Sequence, residues 1–166
     1  MNTVEILQVL NNDFFASKYD CYVLPLNHFL HTNFDKPSLI VFNYDDCDKS
    51  GSHWVAVFID KNNIEYFDSY AIPPLTETLL NKIEFLSVNK TIKFNSTCFQ
   101  GDSTSVCGQY CLIYLLLCSR GYQMKSICKT LLHCKFSSER DVIVNDFINH
   151  HFLTLFNNPL TVYKKI

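Results

Sequence analysis

The chain has 166 residues, of which 48% are hydrophobic and 14% aromatic, and this is enough apolar material for the core of one domain. Its formal net charge of -2, from 14 basic and 16 acidic residues, gives the chain as a whole no electrostatic footprint for nucleic acid. No apolar run approaches the ~20 residues that a membrane-spanning helix requires. We therefore expect a single domain over residues 1–166, without a membrane partner.

The cysteine content raises the question of a disulfide framework. The chain is long and apolar, and it begins with Met1, Asn2 and Thr3 rather than with the basic start of a secretory signal, so we expect reduced thiols in an intracellular compartment. Two sequons, at Asn89 and Asn95, would then be chance matches. The eight cysteines are Cys21, Cys47, Cys98, Cys107, Cys111, Cys118, Cys128 and Cys134.

Four short runs rich in β-branched and aromatic residues predict strands. The first three follow one another with polar connections, which predicts an antiparallel meander. The stretch before them, through Asn33, is predicted to be irregular, although Tyr22, Val23 and Leu24 precede Pro25 there. The predicted strands are residues 39–42, 54–59, 64–67 and 91–94.

Helical periodicity predicts the remaining elements. The helix after Cys107 is predicted to be buried and to stop at Gly121. Ser138 and Asp141 are predicted to form a capping box for the last helix. The other predicted helices lie near residues 4–10, 75–86 and 124–133. Core-facing residues are predicted to be Val4, Leu7 and Leu10 in the first helix and Val142, Val144, Phe147, Ile148, His151, Phe152 and Leu155 in the last.

Polar side chains stand where several of these elements begin or end. His53 starts one strand and Asp68 follows the next, so a hairpin would bring them to the same end of the sheet. Cys107 comes after residues 102–105, which favour helix N-caps, so its sulfur should lie at the first turn of a helix. There the macrodipole and the N–H groups favour a thiolate and a developing oxyanion. Gln100 could add a side-chain N–H donor.

These groups supply the parts of a cysteine hydrolase. His53 is the candidate base, Asp68 the carboxylate that orients it, and Cys107 the nucleophile. Gln100 is the candidate oxyanion donor, and Gly108 leaves room for a substrate carbonyl. Each residue alone has a commoner structural role, and it is their joint occurrence that indicates a cysteine protease.

The other cysteines favour structural roles. Cys111 and Cys118 lie at helical spacing and are predicted to be core residues. Cys128, His133 and Cys134 could bind zinc together with Cys47 or Cys98, but no paired C-x-x-C spacing occurs, so no metal is expected.

The same segments resemble the adenovirus-type protease, especially the versions in Polinton/Maverick elements and related viruses. The resemblance covers about residues 21–135. It implies an α+β fold with a papain-like, adenain-like core shared with SUMO-specific proteases, in which a central antiparallel sheet packs on the buried catalytic helix and further C-terminal helices follow. The matching segments are residues 39–43, Gly51 to Ala56, Tyr66 to Ser69 with Pro73 and Pro74, Gln100, and Cys107 to Cys111.

The resemblance also implies roles for particular residues. They are His53 as general base, Asp68 as orienting acid, Gln100 as oxyanion donor and Cys107 as nucleophile. Trp54 and Gly108 imply a narrow passage for an extended peptide with small side chains, and Asn43 matches a position kept polar near the site. The residues expected beside the substrate are therefore Asn43, Trp54 and Gly108.

By the same resemblance, the substrate would be a capsid-type structural precursor of a virus or transposon. It would be cut during particle maturation, in the host cytoplasm or nucleus or in the virion. The adenovirus enzyme is activated by DNA and by a disulfide-bound peptide, but Asn89 stands at the position of its cofactor-binding cysteine. We therefore expect activity without cofactors. Three alternatives stay open: a ubiquitin-like or SUMO-like isopeptidase, an acyltransferase with the same triad, and a non-catalytic scaffold that binds partners.

Overall fold

The computed structural model describes residues 1–150, and within them a five-stranded sheet carries helices on both faces. None of the helices in this part of the chain is long and apolar enough to cross a membrane. The strands are β1 (Asp20–Pro25), β2 (Ser38–Asn43), β3 (Trp54–Ile59), β4 (Asn63–Phe67) and β5 (Thr91–Phe94). The helices are α1 (Thr3–Asn12), α2 (Leu26–His31), α3 (Glu77–Leu86), α4 (Cys107–Ser119), α5 (Met124–Leu131) and α6 (Ser137–Ile148), with a 3₁₀ turn at Ala16–Lys18.

The strands lie in chain order across the sheet. The centre, β2 to β4, is the predicted antiparallel meander, with Asn43 opposite Trp54 and Ala56 opposite Phe67. Both edges differ, because β1 pairs with β2 and β5 pairs with β4 in parallel. Parallel neighbours need a crossover, and α2 and α3 provide the two crossovers.

Two cores lie on the two faces of the sheet. Alternate side chains of β2 show the division, since Leu39 and Val41 join the core beneath α1 and α4, whereas Ile40 and Phe42 join the core beneath α2 and α3. Because both faces are covered, the central strands are continuous apolar runs rather than alternating ones.

Helix α4 is buried around most of its circumference, as predicted, and a left-handed Gly121 (φ 84°) follows its end. Its N-cap is Val106, however, and not one of residues 102–105. Val106 makes no side-chain capping bond, so it leaves the N–H groups of the first turn to other acceptors.

The stretch predicted to be irregular contains β1 and α2. Every β1 residue is half-buried, because β1 lies at the edge of the sheet, and the strand therefore lacks the alternation that would have revealed it. Pro25 closes the strand, a position where its missing N–H is tolerated. Helix α1 faces the core with Ile6, Val9 and Leu10, and Val4, predicted to face inward, is exposed.

Two helix starts differ from their predictions. Helix α3 begins at Glu77, where the Thr76 hydroxyl accepts the N–H of Leu79. The capping box predicted for α6 is wrong: Phe136 is the N-cap residue, and the Asp141 carboxylate is turned inward. Of the residues predicted to face the core, Val144 and Ile148 are buried, Val142 and Phe147 are exposed, and His151, Phe152 and Leu155 lie outside the described residues.

Candidate active site

His53 and Asp68 meet at one end of the central hairpin. His53 precedes β3 and Asp68 follows β4, and the pairing of Ala56 with Phe67 brings these two positions together. Nε2 of His53 lies 2.8 Å from Oδ2 of Asp68. Asp68 is fully buried and the His53 side chain is 15% exposed, so the pair is shielded from most of the solvent.

Two further contacts fix Asp68. Its Oδ1 accepts the backbone N–H of Tyr70 at 2.7 Å. The buried Asn95 side chain brackets the Asp68 backbone, since Asn95 Oδ1 accepts the Asp68 N–H at 2.9 Å and Nδ2 donates to the Asp68 carbonyl at 2.7 Å. The carboxylate is therefore held on both oxygens and through its own backbone.

Cys107 is the first residue of α4. Burial alone would raise the pKa of its thiol, but hydrogen bonds from His53 and from the backbone N–H groups of Trp54 and Gly108 lower the pKa below its ordinary value. The thiolate is thus stabilised both by the imidazole and by the start of the helix.

His53 bonds both partners of this arrangement. Burial alone would lower the pKa of its imidazole, but hydrogen bonds to Asp68 and Cys107 raise the pKa to about 9. Since Nε2 bonds Asp68, Nδ1 is the ring nitrogen left for Cys107. The two shifts together favour a thiolate and an imidazolium at neutral pH.

Two tyrosine rings flank the imidazole of His53. The Tyr44 ring stacks on it with centroids 6.0 Å apart and an interplanar angle of 11°, and the Tyr70 ring lies 5.3 Å away. The hydroxyls of Tyr44 and Tyr66 are hydrogen-bonded, which anchors the first ring to β4. These rings restrict the rotation of the imidazole, and the sequence analysis had not singled them out.

Gln100 is almost fully buried, at 3% exposure, and its side-chain amide is held at both ends. Its Oε1 accepts the Ser69 hydroxyl at 2.8 Å, and its Nε2 donates to the Thr104 carbonyl at 2.7 Å. One of the two Nε2 hydrogens is used in this way, and the other is left to donate elsewhere.

Trp54 and Gly108 are in close contact beside Cys107. A Cβ atom built on Gly108 would lie 3.3 Å from Cδ1 of Trp54, so a side chain at this position would press on the indole. The indole N–H donates to the Met1 carbonyl at 3.3 Å, which fixes its orientation. The same Cβ atom would lie 3.4 Å from Met1 and 3.5 Å from Ile6, so Gly108 is packed directly against its interior neighbours, one residue after the nucleophile.

Asn43 holds a loop. Its Oδ1 accepts the N–H groups of Asp45 at 2.9 Å and Ser52 at 3.1 Å, and so it closes the loop that leads into His53. An open cleft of about 420 Å³ lies alongside, with Asn43, Gly51 and Trp54 among its lining residues. Asn43 thus contributes to the cleft wall through loop geometry.

The remaining cysteines are separate from this site. Cys111 and Cys118 are buried in α4, and burial raises the pKa of both thiols well above the ordinary value. Within residues 1–150, no group of three or more Cys, His, Asp or Glu side chains could hold a metal ion. Cys128, His133 and Cys134 therefore do not assemble a zinc site with Cys47 or Cys98 there.

No protein-family model matches the sequence. The chain is 36% identical over 86 residues to a protein of Acanthamoeba polyphaga mimivirus that is named as a thiol protease. The match covers 46% of this chain and 28% of that relative. The chain thus spans less than a third of the relative's length.

Two solved structures share the fold. A crystal structure of a protease from ASFV matches with a TM-score of 0.63 and 17% identity, covering 84% of this chain and 63% of the other. ChlaDub1 from Chlamydia trachomatis matches with a TM-score of 0.57 and 14% identity, covering 98% of this chain and 82% of the other. These likenesses confirm the predicted α+β fold class.

The sequence match thus relates part of the chain to a protein named as a thiol protease, and the two solved structures share its fold. This agrees with the enzyme class expected from the sequence. The narrower expectation, an adenovirus-type protease of the Polinton/Maverick kind, stays a prediction, as do the roles of the individual residues.

Proposed function

We propose that the chain is a cysteine endopeptidase with His53, Asp68 and Cys107 as its catalytic triad. The observation that carries the proposal is that one imidazole bonds a buried carboxylate at 2.8 Å and lies close enough to a thiol at the start of a buried helix to shift both pKa values. Such a pair supplies a reactive thiolate before any substrate binds.

In the first step the Cys107 sulfur attacks the carbonyl carbon of the scissile peptide bond, and the carbonyl electrons move to its oxygen. As the C–N bond breaks, the His53 imidazolium gives its proton to the leaving nitrogen. The C-terminal fragment leaves as an amine, and a thioester remains on Cys107. Asp68 keeps the imidazole oriented and stabilises its positive charge.

Two kinds of donor stabilise the oxyanion. The N–H groups at the start of α4, which no side chain caps, would donate to the carbonyl oxygen, and the second Nε2 hydrogen of Gln100 would add a side-chain donor. One such donor is worth ~3 kcal/mol of activation free energy, because the bond strengthens as charge develops on the oxygen.

Water then attacks the thioester carbon while neutral His53 takes one of its protons. The tetrahedral intermediate expels the Cys107 thiolate, and the N-terminal fragment leaves as a carboxylic acid. The thiolate and the imidazolium are thereby restored. Asp68 keeps its hydrogen bond to the imidazole throughout.

The indole of Trp54, packed against Gly108 beside the nucleophile, supports a substrate with small residues, such as glycine, next to the cleaved bond. We propose capsid-type structural precursors as substrates, because relatives of the chain occur in mimivirus and ASFV. The enzyme would then work as one protease domain inside the host cell, in cytoplasm or nucleus, or in the virion.

Activity without DNA or an activating peptide is part of the proposal. Asn89, which stands in place of a cofactor-binding cysteine, adopts a left-handed conformation with φ of 63° between α3 and β5. Asparagine tolerates this conformation better than most residues. The turn thus has a conformational reason for its residue that involves no thiol.

The test is cleavage of a capsid-type peptide with glycine next to the cut by the purified chain, compared with its Cys107→Ala variant. We expect cleavage by the wild type and none by Cys107→Ala, with an unchanged melting temperature, since the change removes a sulfur and little packing. Cys128→Ala, which alters a half-buried thiol on α5, is the control and should cleave normally. Cleavage by folded Cys107→Ala would contradict the proposal.

The same assay separates the alternatives. Reaction with a ubiquitin-like or SUMO-like probe but not with the peptide would favour an isopeptidase, which cuts after Gly-Gly through the same layout. Acyl transfer from an acyl donor would favour an acyltransferase. A folded wild type without any reaction would favour a scaffold that only binds partners.

A further inference from the structure

The first turns of α6 carry two buried charged residues, Arg140 and Asp141. Asp141 is 2% exposed. Its Oδ2 accepts the Gly101 N–H at 2.9 Å and the Thr104 hydroxyl at 2.6 Å, and its Oδ1 accepts the Tyr110 hydroxyl at 2.8 Å. The carboxylate thus joins α6 to α4 and to the segment that precedes α4.

Arg140 holds the same segment from a second point. Its Nε donates to the Phe99 carbonyl at 3.1 Å, and its Nη1 donates to the Cys134 carbonyl at 2.7 Å. Phe99 and Gly101 are the two chain neighbours of Gln100. Side chains of α6 therefore hydrogen-bond the backbone on both sides of the proposed oxyanion donor.

A third contact connects these hydrogen bonds of α6 to the Gln100 amide. The Thr104 carbonyl accepts the Gln100 Nε2 hydrogen at 2.7 Å, while the Thr104 hydroxyl donates to Asp141. Hydrogen bonds to a buried carboxylate are short and strong. Asp141 thereby holds the residue that directs the Gln100 amide.

The packing at Gly101 shows how closely the segment lies against α6. A Cβ atom there would come within 3.0 Å of Asp141 Oδ2 and 3.2 Å of Ser137 Oγ. No side chain fits between the segment and the helix without displacing one of them. The Gly101 backbone is therefore packed directly against these two side chains of α6.

We propose that α6 is a positioning element for the oxyanion donor, with Arg140 and Asp141 as positioning residues that act through Thr104 and Gln100. The inference rests on the proposed function and goes beyond it, since it assigns a task in the chemistry to a helix that contributes no catalytic residue. It predicts that removing the hydrogen bonds of Arg140 or Asp141 slows the steps that pass through an oxyanion and leaves the reactivity of the thiolate unchanged.

The main variant is Asp141→Asn. The amide has one acceptor oxygen for three donors and turns its own N–H groups toward some of them. We expect kcat for peptide cleavage to fall by about tenfold to a hundredfold, less than the full loss of one oxyanion donor, with KM within about threefold of the wild type. Alkylation of Cys107 by iodoacetamide, which forms no oxyanion, should keep its rate.

A double-mutant cycle tests the route through Gln100. If Asp141 acts by positioning Gln100, Asp141→Asn should cost less than about threefold in kcat in a Gln100→Ala background. Losses that multiply in full would overturn the inference. An equal loss in alkylation would also overturn it, because the whole site would then be disturbed.

Glu65→Gln is the matched control. Glu65 is likewise a buried carboxylate, 3% exposed, and it accepts the hydroxyl of Tyr114 on α4 at 2.6 Å. It lies away from the segment before α4, so Glu65→Gln should lower the melting temperature and leave kcat unchanged. An equal fall in kcat in this control would show that the loss in Asp141→Asn comes from lower overall stability, and it would overturn the inference.

Thr104→Val covers the case in which Asp141→Asn does not fold. It keeps the carbonyl that holds Gln100 and removes the hydroxyl, which bonds Asp141 at 2.6 Å and also lies 3.1 Å from the Gly101 carbonyl, so a smaller fall in kcat with unchanged alkylation is expected. Full turnover by folded Asp141→Asn or folded Thr104→Val would overturn this inference alone. Absence of cleavage by the wild type would overturn the proposed function, and this inference with it.

Discussion

His53 and Asp68 are held mainly by the sheet, whereas Gln100 is held by side chains. The first two residues flank neighbouring strands, whose backbone pairing fixes their separation. Gln100 lies between β5 and α4, in a segment without regular structure, and its amide accepts a bond from the Ser69 hydroxyl and donates one to the Thr104 carbonyl. The base and the oxyanion donor thus rest on different kinds of support.

This difference teaches where the site is vulnerable. Separating the backbones of His53 and Asp68 would require the rupture of a central hairpin that is buried on both faces. Displacing the Gln100 amide requires the loss of one or two hydrogen bonds. Single substitutions around the segment before α4 should therefore impair chemistry in a protein that stays folded.

We call His53 and Asp68 the sheet-held half of the site. The largest effect should come from a substitution there that removes the carboxylate and leaves the backbone unchanged. Asp68→Asn should lower kcat by about 10³-fold to 10⁴-fold, because the amide leaves His53 in the wrong tautomer. Steady-state kinetics on the cleavable peptide measure the change, and circular dichroism checks the fold.

Asp60→Asn is the control for this prediction. The Asp60 carboxylate accepts the N–H groups of Asn62 and Asn63 in the turn at the far end of the same hairpin. It should leave kcat nearly unchanged. A larger loss from Asp60→Asn than from Asp68→Asn would refute the proposed pairing of carboxylate and base.

The next largest effect should come from Gln100, the part of the site that side chains hold in place. Gln100→Ala should reduce kcat by about 10²-fold to 10³-fold with little change in KM, because the lost bond strengthens only as the oxyanion forms. Gln100→Glu should be at least as harmful, since a carboxylate would face the oxyanion. Iodoacetamide should still alkylate Cys107 at the wild-type rate in both variants.

Gln123→Ala provides the matched glutamine control, because Gln123 is exposed at the start of α5 and makes no side-chain capping bond. It should behave as the wild type. Normal turnover by folded Gln100→Ala would mean that backbone N–H groups suffice and that Gln100 is an ordinary loop residue.

The same comparison explains what the sequence could predict. Strand periodicity and a turn are local signals, and they were enough to expect His53 and Asp68 at one end of a hairpin. The helix that starts at Cys107 was equally visible, because its apolar run and Gly121 lie close together in the chain. The predicted α+β class follows from these signals.

Other contacts leave no local signal. Asn95 meets Asp68 across 27 positions, and Asp141 meets Thr104 across 37. Asn95 was interpreted as a chance sequon and Asp141 as a capping residue, because each also fits a local pattern. One hint was present in the sequence. Asn95 directly follows β5 and Asp68 directly follows β4, so pairing these two strands in parallel would have placed Asn95 beside Asp68.

Asn95 also sharpens the comparison, because its side chain supports His53 and Asp68 through the backbone of Asp68. Asn95→Ala should lower kcat by about tenfold and lower the melting temperature, since two buried backbone groups lose their partner. Ser96→Ala changes the exposed neighbour and serves as control. Unchanged kcat in folded Asn95→Ala would show that the sheet alone positions Asp68.

The smallest predicted effect is a pH dependence that belongs to the sheet-held half. The active form carries a Cys107 thiolate and a His53 imidazolium, so kcat/KM should rise as the thiol ionises below its ordinary pKa and fall as the imidazolium loses its proton. Because Asp68 and Cys107 raise the pKa of His53 to about 9, activity at pH 9 should be about half of its maximum.

Asp68→Asn should move that alkaline limb to lower pH, because the amide no longer stabilises the imidazolium, whereas Gln100→Ala should leave it in place. Because the pKa of His53 is raised to about 9, the imidazolium and its attraction to Asp68 and to the Cys107 thiolate persist up to about pH 9 and are lost above it. The measurement is kcat/KM from pH 5 to 10 at constant ionic strength. A wild-type profile that stays flat to pH 10 would show that the imidazolium is not the active form, and a limb shifted equally in both variants would show that the two halves of the site are not independent.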